Sequence, residues 1–261
     1  MMIVEKALVI SNRQIATGIY QMDLLAPQSA ELARAGQFFM LKTTPYLDPF
    51  LKRPMSINKI EKEKGQLRFI YDVVGRGTAI MSGIMESENI EITGPCGNGW
   101  LTEQKISRAL LVGGGTGIAP LLPLAIELKR AGALVDIFLG AARADRLFNE
   151  DDLAAYGNIS IATDDGSKGQ KGTIACLLPD GGGAYDMVYT CGPNPMMAAV
   201  AKWAEKNALP CRVSLEERMG CGIGTCVGCV CALKGADGQP AYRRVCKEGP
   251  VFDAKEVLFN G

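Results

Sequence analysis

Four cysteines lie in one glycine-rich run near the end of the chain, EERMGCGIGTCVGCVC, at residues 216–231. Three of them, Cys221, Cys226 and Cys229, have the spacing C-x4-C-x2-C. One class of 2Fe-2S loop has this spacing and takes its fourth thiolate from a distant cysteine. Cys246 is a candidate for that position. The intervening glycines let the backbone turn tightly and direct N–H groups toward sulfur. The run therefore predicts a 2Fe-2S site.

Two alternatives to this ligand set come from the same residues. Zinc ribbons favour C-x2-C pairs, so the x4 gap favours the iron-sulfur cluster over zinc. Cys231 lies two residues after Cys229, and on a strand it would point the same way and could act as a ligand. We prefer Cys246, because the other three ligands already come from one loop. Three further cysteines have no partner at a meaningful spacing and are expected to be buried: Cys96, Cys176 and Cys211.

A second chemical signal is the glycine-rich run GGGTGIAP at residues 113–120. It stands between a predicted strand at 109–112 and an apolar helix that runs to Arg130. Such strand-to-helix turns place backbone donors against a phosphate, although this one does not match G-x-G-x-x-G. The predicted nucleotide contacts here are Gly114, Gly115, Thr116 and Gly117.

A related turn, Cys191-Gly192-Pro193, follows a predicted strand at residues 187–190. Gly192 and Pro193 are predicted to belong to the same nucleotide site. Cys191 is either a buried small residue or a residue beside a nicotinamide ring. Arg143 ends another strand without a basic cluster around it, which favours NAD over NADP. Asp164 and Asp165 are interpreted as turn formers.

Two shorter signals come earlier in the chain. The run RPMS, made of Arg53, Pro54, Met55 and Ser56, offers a guanidinium and a hydroxyl to a phosphate or a flavin ring. The run YDVVGRGT ends in Gly77 and Thr78, where exposed N–H groups before a helix could meet a pyrophosphate. Each run alone also fits an ordinary turn, but their order favours a site.

Composition excludes several classes of protein. The chain has 261 residues, no net charge and no histidine. A neutral chain gives no reason to expect nucleic acid or an anionic membrane as partner. Without histidine, Ser-His and Cys-His catalysis and Rieske-type clusters are excluded. We expect no acid–base catalytic residue, no signal peptide, no membrane span, and a cytoplasmic location in which the nine cysteines stay reduced.

The elements that position these residues fall into a β part and an α/β part. Six predicted strands without a long helix between them indicate a small antiparallel barrel. They cover residues 4–10, 18–25, 37–41, 55–60, 66–74 and 89–93, with a helix at 78–84. After residue 100, strands at 109–112, 135–139, 159–163 and 187–190 alternate with helices, one of them at 173–178, which indicates a parallel sheet. After Cys231, a Gly-Ala-Asp-Gly turn at 235–238 predicts a hairpin that folds Cys246 back onto the loop. The predicted fold is multidomain β + α/β, with a barrel at 1–102, a nucleotide-binding α/β domain at 103–210 and a small cluster domain at 211–261.

The order of these motifs resembles that of the ferredoxin-NADP reductase superfamily. The segments SLEERMGCGIGTCVGC at 214–229 and RVCKEGPVF at 244–252 more closely resemble the electron-transfer subunits of type B dihydroorotate dehydrogenase. The resemblance covers essentially the whole chain. It implies cluster ligation by Cys221, Cys226, Cys229 and Cys246. It also implies FAD contacts at residues 53–56, at Ile70, Tyr71 and Asp72, and at Gly77 and Thr78.

The resemblance further implies an NAD-dependent oxidoreductase subunit. Electrons from dihydroorotate oxidation in an FMN-containing partner subunit would pass through the 2Fe-2S cluster and FAD to NAD+, in de novo pyrimidine (UMP) biosynthesis. The assembly would be a heterotetramer with two copies of each subunit. Two alternatives remain: a related NAD(P)H-ferredoxin or sulfur-compound oxidoreductase subunit, and a zinc-stapled, non-enzymatic binding module.

Overall fold

The computed structural model of the chain describes residues 1–100, 105–182, 185–235 and 238–259. The described residues form a closed six-stranded barrel, a seven-stranded sheet and a two-stranded hairpin. No described helix is long and apolar enough to cross a membrane. The predicted division between residues 102 and 103 lies outside the described residues.

The barrel is antiparallel, as predicted, and its strands close in the order β1-β2-β5-β4-β3-β6. Alternating apolar residues fill its interior, where Phe39 and Phe69 meet edge to face. Closure removes the exposed sheet edges that an open antiparallel sheet would leave. Its elements are β1 Ile3–Ala16, β2 Ile19–Leu25, α1 Pro27–Leu32, β3 Phe38–Leu41, β4 Arg53–Glu61, β5 Gln66–Asp72, α2 Arg76–Ser82 and β6 Asn89–Cys96.

The seven-stranded sheet has the order β10-β9-β8-β7-β11-β12-β15, and only β15 runs antiparallel. The chain winds outward from β7 to β10 and then returns to the other side of β7 with β11, so the strand order reverses between β7 and β11. Ligands of such sheets bind at this switch point, outside the carboxyl ends of the strands. The elements are β7 Arg108–Gly114, α3 Leu121–Arg130, β8 Leu134–Ala141, α4 Glu150–Ala154, β9 Asn158–Thr163, β10 Gln170–Lys171, β11 Met187–Cys191, α5 Asn194–Lys206, β12 Cys211–Ser214 and β15 Val251–Asp253.

The cysteine-rich segment, residues 215–250, starts and ends on this sheet. β12 and β15 pair with each other, and Ser214 lies opposite Val251. Between them, β13 Val230–Lys234 and β14 Pro240–Arg244 form the hairpin that we expected to fold Cys246 back onto the loop. Strands from both sides of residue 210 therefore share one sheet, and the predicted boundary there stays a prediction. Two residues of the expected turn at 235–238, Ala236 and Asp237, lie outside the described residues.

The structure differs from the sequence predictions in small elements. The helix expected at 173–178 is a single 3-10 turn, Ile174–Leu177. Helix α1 was not predicted, because its six residues show no helical periodicity. Cys176, expected to be buried, is exposed at that 3-10 turn, whereas Cys96 and Cys211 are buried as expected.

Candidate functional site

A cavity of about 440 Å³ opens beside the barrel, and we call it the barrel cavity. Residues from β4, β5 and α2 line it, because neighbouring strand ends bring distant sequence runs to one rim. Eight residues that the resemblance implies as FAD contacts lie on its wall: Arg53, Pro54, Met55, Ser56, Ile70, Tyr71, Asp72 and Thr78.

Gly77 lies behind the arginine on this wall. A Cβ at Gly77 would lie 2.3 Å from Arg53 Nε, so only glycine leaves room for the guanidinium. Thr78 Oγ1 accepts a hydrogen bond from Val74 N at 3.1 Å, which fixes the turn before α2. Arg53 Nη1 donates to the carbonyl of Leu51, and Arg53 lines the barrel cavity, where a guanidinium can meet an anionic group.

The opposite wall of the barrel cavity comes from the two ends of the cysteine-rich segment. We call residues 220–229 the cysteine loop. The wall residues that precede this loop are Leu215, Glu216, Glu217 and Met219, and the one that follows it is Pro250. Sequence reasoning did not find these wall residues, since nothing in their types or spacing points to a cofactor. The wall of the barrel cavity therefore includes Met219, which precedes Cys221 by two residues.

A second cavity, of about 450 Å³, lies outside the carboxyl ends of the parallel strands, and we call it the sheet cavity. Three of the residues predicted to contact a nucleotide line it: Gly114, Gly115 and Pro193. Arg146 and Asp164 also line it. Asp164 was interpreted as a turn former, although its place after β9 puts it at the edge where ligands bind.

The glycine-rich turn and the Cys191-Gly192-Pro193 turn pack directly on each other. A Cβ at Gly117 would lie 2.3 Å from the carbonyl oxygen of Cys191, and one at Gly192 would lie 2.8 Å from the carbonyl of Gly114. Thr116 points the other way and lines the barrel cavity. The side chain of Cys191 is 1% exposed, and burial raises the pKa of its thiol well above the usual value. Its place beside a nicotinamide stays a prediction.

In the cysteine loop, backbone N–H groups converge on sulfur. Ile223 N and Cys226 N each donate to Cys221 Sγ at 3.4 Å, and Cys246 N donates to Cys229 Sγ at 3.4 Å. Burial raises the pKa of Cys221, but these backbone hydrogen bonds outweigh it and lower that pKa to about 6. Donors aimed at sulfur are the environment that a thiolate ligand requires.

The four candidate thiols form two close pairs. Cys221 neighbours Cys226, and Cys229 neighbours Cys246, whose pKa is raised to about 12 by burial and by Cys229. Within the described part of the chain, no three Cys, Asp or Glu side chains converge as ligands of one metal ion. Two thiolates for each of two irons is the ligand pattern of a 2Fe-2S cluster, so the donor set fits that group better than a single zinc.

Cys231 faces a backbone carbonyl instead of the cysteines of the loop. Its Sγ lies 3.5 Å from the carbonyl oxygen of Arg243, its partner across the hairpin. Arg244, one residue on, donates from Nη1 to the carbonyl of Gly224 at 2.7 Å and pairs with Glu248. The hairpin thus ties its own strand to the cysteine loop and brings Cys246, rather than Cys231, next to Cys229.

The cysteine loop also contacts the barrel. Gly222 has a φ of 71°, and a Cβ there would lie 2.4 Å from Met40 Cγ of β3. The outer side of the loop is exposed: Cys226 is at the surface, with Ile223 45% and Val227 57% exposed. The loop therefore has one side on the barrel and one side open to a partner.

Comparison with known proteins agrees with this arrangement. Residues 216–258 match the iron-sulfur cluster binding domain of dihydroorotate dehydrogenase B. The chain is 40% identical over 256 residues to the dihydroorotate dehydrogenase B (NAD(+)) electron transfer subunit of Geobacillus thermodenitrificans, covering 97% of this chain and 98% of that one. It is 42% identical over 255 residues to the subunit of the same name from Caldanaerobacter subterraneus subsp. tengcongensis, with 97% and 98% covered.

Solved structures give the same fold. A chain of the NADH-dependent reduced ferredoxin-NADP oxidoreductase superposes with a TM-score of 0.86 at 28% identity, covering 98% of this chain and 90% of that one. The ferredoxin NADP+ reductase of Neisseria gonorrhoeae, solved with bound FAD and NADP, superposes with a TM-score of 0.65 at 17% identity, covering 78% and 91%. The second likeness concerns the fold alone.

Proposed function

The chain belongs to the family of electron transfer subunits of dihydroorotate dehydrogenase B, and from that premise we propose how its two cavities and its cysteine loop divide the work. Its function is electron transfer from dihydroorotate oxidation to NAD+, in de novo pyrimidine biosynthesis. When bound, a 2Fe-2S cluster supplies single-electron transfer, and FAD supplies both single-electron and hydride transfer. No acid–base residue is required of this chain.

The barrel cavity is the proposed FAD site. Residues 53–56, residues 70–72 and Thr78 line it, and Gly77 lets the Arg53 guanidinium reach it. Arg53 supplies positive charge for the cofactor's phosphates, and the apolar side chains of Met55 and Ile70 exclude water from a ring.

The sheet cavity is the proposed NAD site. Gly114 and Gly115 bring the backbone close to a pyrophosphate there, and Thr116 reaches from the same turn toward the barrel cavity. Arg143, the candidate for a 2′-phosphate, is paired with Asp145 through Nε at 3.2 Å and Nη2 at 2.9 Å. Arg143 does not line the sheet cavity, which supports NAD over NADP.

The observation that carries the proposed function is the wall shared by the barrel cavity and the cysteine loop. Met219 lines that cavity two residues before Cys221, while Cys226 lies at the surface on the other side of the loop. Cys221, Cys226, Cys229 and Cys246 are the proposed cluster ligands. They hold the cluster between a flavin and the protein surface, where electrons can enter from outside the chain.

A catalytic partner subunit follows from the family. We propose that this partner contains FMN, forms a heterotetramer with two copies of each subunit, and docks on the exposed side of the cysteine loop. The exposed apolar side chains there, Ile223 and Val227, are joined by Tyr242, which is 66% exposed on the hairpin. Apolar side chains that one chain leaves exposed are typical of an interface. The nine free cysteines support a reducing, cytoplasmic location.

The test is a spectroscopic titration of the purified chain with and without an FMN-containing dihydroorotate dehydrogenase subunit. We expect flavin bands with broad cluster absorption, and a rhombic electron paramagnetic resonance signal on reduction with NADH. Dihydroorotate should bleach the flavin of the pair but not of this chain alone. A colourless chain with one zinc ion would contradict the proposal, as would bleaching by dihydroorotate without the partner.

A further inference from the structure

Arg146 joins the two cavities. Its side chain lines the sheet cavity, while its guanidinium is paired with Asp72 on the wall of the barrel cavity. Nη1 lies 3.4 Å from Asp72 Oδ1, and Nη2 makes a closer contact with Oδ2. The side chains of Arg146 and Asp72 are 33% and 21% exposed, so the pair is open to solvent and to a ligand.

The backbone of the barrel keeps the guanidinium in this position. Arg146 Nη1 also donates to the carbonyl of Thr17 at 2.6 Å. Thr17 Oγ1 in turn donates to Asp145 Oδ2 at 3.1 Å, and Thr17 N donates to the carbonyl of Asp145 at 2.8 Å. Gly18, with a φ of 70°, leaves space for Nη1, since a Cβ there would lie 3.0 Å away.

Charge is scarce in the sheet cavity. Of the described residues on its wall, Arg146 is the one basic side chain and Asp164 the one acidic side chain. Arg143 is close in sequence but does not line the sheet cavity. A dinucleotide carries two negatively charged phosphates, so Arg146 is the side chain on this wall that can neutralise them.

We infer that Arg146 is a ligand for a nucleotide phosphate that Asp72 holds when the sheet cavity is empty. A guanidinium binds carboxylate and phosphate through the same pair of N–H groups, so the two anions compete for it. Phosphate binding therefore releases Asp72 beside the barrel cavity, and Asp72 weakens nucleotide binding. This inference rests on the proposed NAD site and adds to it one phosphate ligand, Arg146, and one competing carboxylate, Asp72.

The test compares two variants that break the same ion pair from opposite ends, Arg146→Gln and Asp72→Asn, in the full FAD-loaded chain. Calorimetric titration with ADP-ribose should give a Kd raised roughly tenfold or more by Arg146→Gln, because a charged hydrogen bond is lost. It should give a Kd lowered about threefold by Asp72→Asn, because the competitor is gone. Adenosine, which has no phosphate, should bind equally to both variants and to the unaltered chain.

A matched control is Asp152→Asn. Asp152 pairs with Arg68 at 3.3 Å, and this ion pair also joins the barrel to the α/β part. Neither residue lines the sheet cavity or the barrel cavity. The Kd of ADP-ribose should not change in this variant. If Arg146 and Asp72 only hold the two parts together, both of their variants will move the Kd in the same direction, and the inference is overturned.

Two further outcomes separate this inference from the proposed function. If the unaltered chain does not bind ADP-ribose, the NAD site itself is wrongly placed. If Asp72→Asn loses FAD, Arg146→Gln decides alone: a loss confined to ADP-ribose supports phosphate recognition, and an equal loss for adenosine overturns it.

Discussion

Among residues, Cys226 and Cys231 show how side-chain contacts separate a candidate ligand from a neighbour of the same type. Cys226 is exposed and lies next to Cys221, whereas Cys231 is buried and contacts the Arg243 carbonyl. Their spacing in the sequence does not distinguish them, because both lie within three residues of Cys229. The hairpin distinguishes them, because Cys231 lies on β13 opposite Arg243 of β14 and Cys226 lies before the hairpin.

Replacing Cys226 by serine should remove the cluster and leave the flavin. We expect loss of the cluster absorption and of electron transfer from the partner. NADH oxidation by artificial acceptors should stay largely intact, because Cys226 does not line the barrel cavity, the proposed FAD site. Iron and FAD contents and the two rates are the measurements. Cys231→Ser is the matched control and should keep its iron. Loss of FAD in Cys226→Ser would contradict the separation of the two sites.

Gly77 packs directly against the guanidinium of Arg53. A methyl group there would overlap the Arg53 guanidinium, so Gly77→Ala should weaken FAD binding by roughly tenfold or more, as expected for a displaced charged contact. Fluorescence titration of the apoprotein with FAD measures this. Gly75→Ala is the control, because a Cβ at Gly75 has no atom within 4 Å. Equal affinities of the two variants would mean that Arg53 does not contact FAD.

Among elements, the connection between the barrel and the cysteine-rich segment depends on the residues just after β6. Asn98 Nδ2 donates to the carbonyls of Glu248 and Val251 at 3.0 and 2.8 Å, and Asn98 Oδ1 accepts from Val251 N at 3.2 Å. One side chain thus holds the stretch that follows Cys246 against the end of the barrel.

Asn98→Ala should therefore loosen the fourth ligand without changing the barrel. Leaving backbone groups unpaired costs about 1–3 kcal/mol, so we expect a lower thermal midpoint and faster loss of iron to a chelator. Thermal unfolding and iron release measure both effects. Asn89→Ala, at the exposed start of the same strand, is the control and should behave like the unaltered chain. Unchanged iron release in Asn98→Ala would show that the contact does not support the cluster.

The sequence predicted elements well where the chain alternates or repeats, and poorly where pairing is distant. The six barrel strands and the parallel strands β7, β8, β9 and β11 were found from apolar alternation and Gly-rich turns. β12 and β15 are short, and they pair across the whole cysteine-rich segment, so no local pattern reveals that they share a sheet. The cavity wall at residues 215–219 and the role of Arg146 were missed for the same reason, because both depend on contacts between distant parts of the chain.

Across the whole molecule, the exposed side of the cysteine loop contains a strained residue. Val227 has a φ of 57°, a conformation that β-branched residues rarely adopt, and its side chain is more than half exposed. Strain of this kind persists where the surrounding structure or a partner requires it. An apolar side chain held there fits the proposed docking surface.

Val227→Gly separates strain from docking. Relief of a left-handed conformation worth about 1–2 kcal/mol should raise or preserve the thermal midpoint. Loss of a buried valine contact should weaken association with the FMN-containing subunit by roughly tenfold, measured by surface plasmon resonance. Leu134→Ala, another exposed apolar residue on the α/β part, should leave association unchanged. Equal effects of the two changes would place the docking surface elsewhere.

The pairing of Ser214 with Val251 has a consequence for how such a protein can be rebuilt. Because residues 215–250 leave and rejoin the sheet at directly opposed positions, the cluster-bearing segment is an insert between two adjacent strands. A short hairpin turn can span the same gap. Removal of the insert would open one wall of the barrel cavity to solvent. It would also uncover apolar side chains of the barrel and the sheet, because Cys229, Leu233 and Val245 share a buried cluster with Met40 and Val112. The same junction is a point at which another redox module can be grafted onto a flavin and nucleotide scaffold.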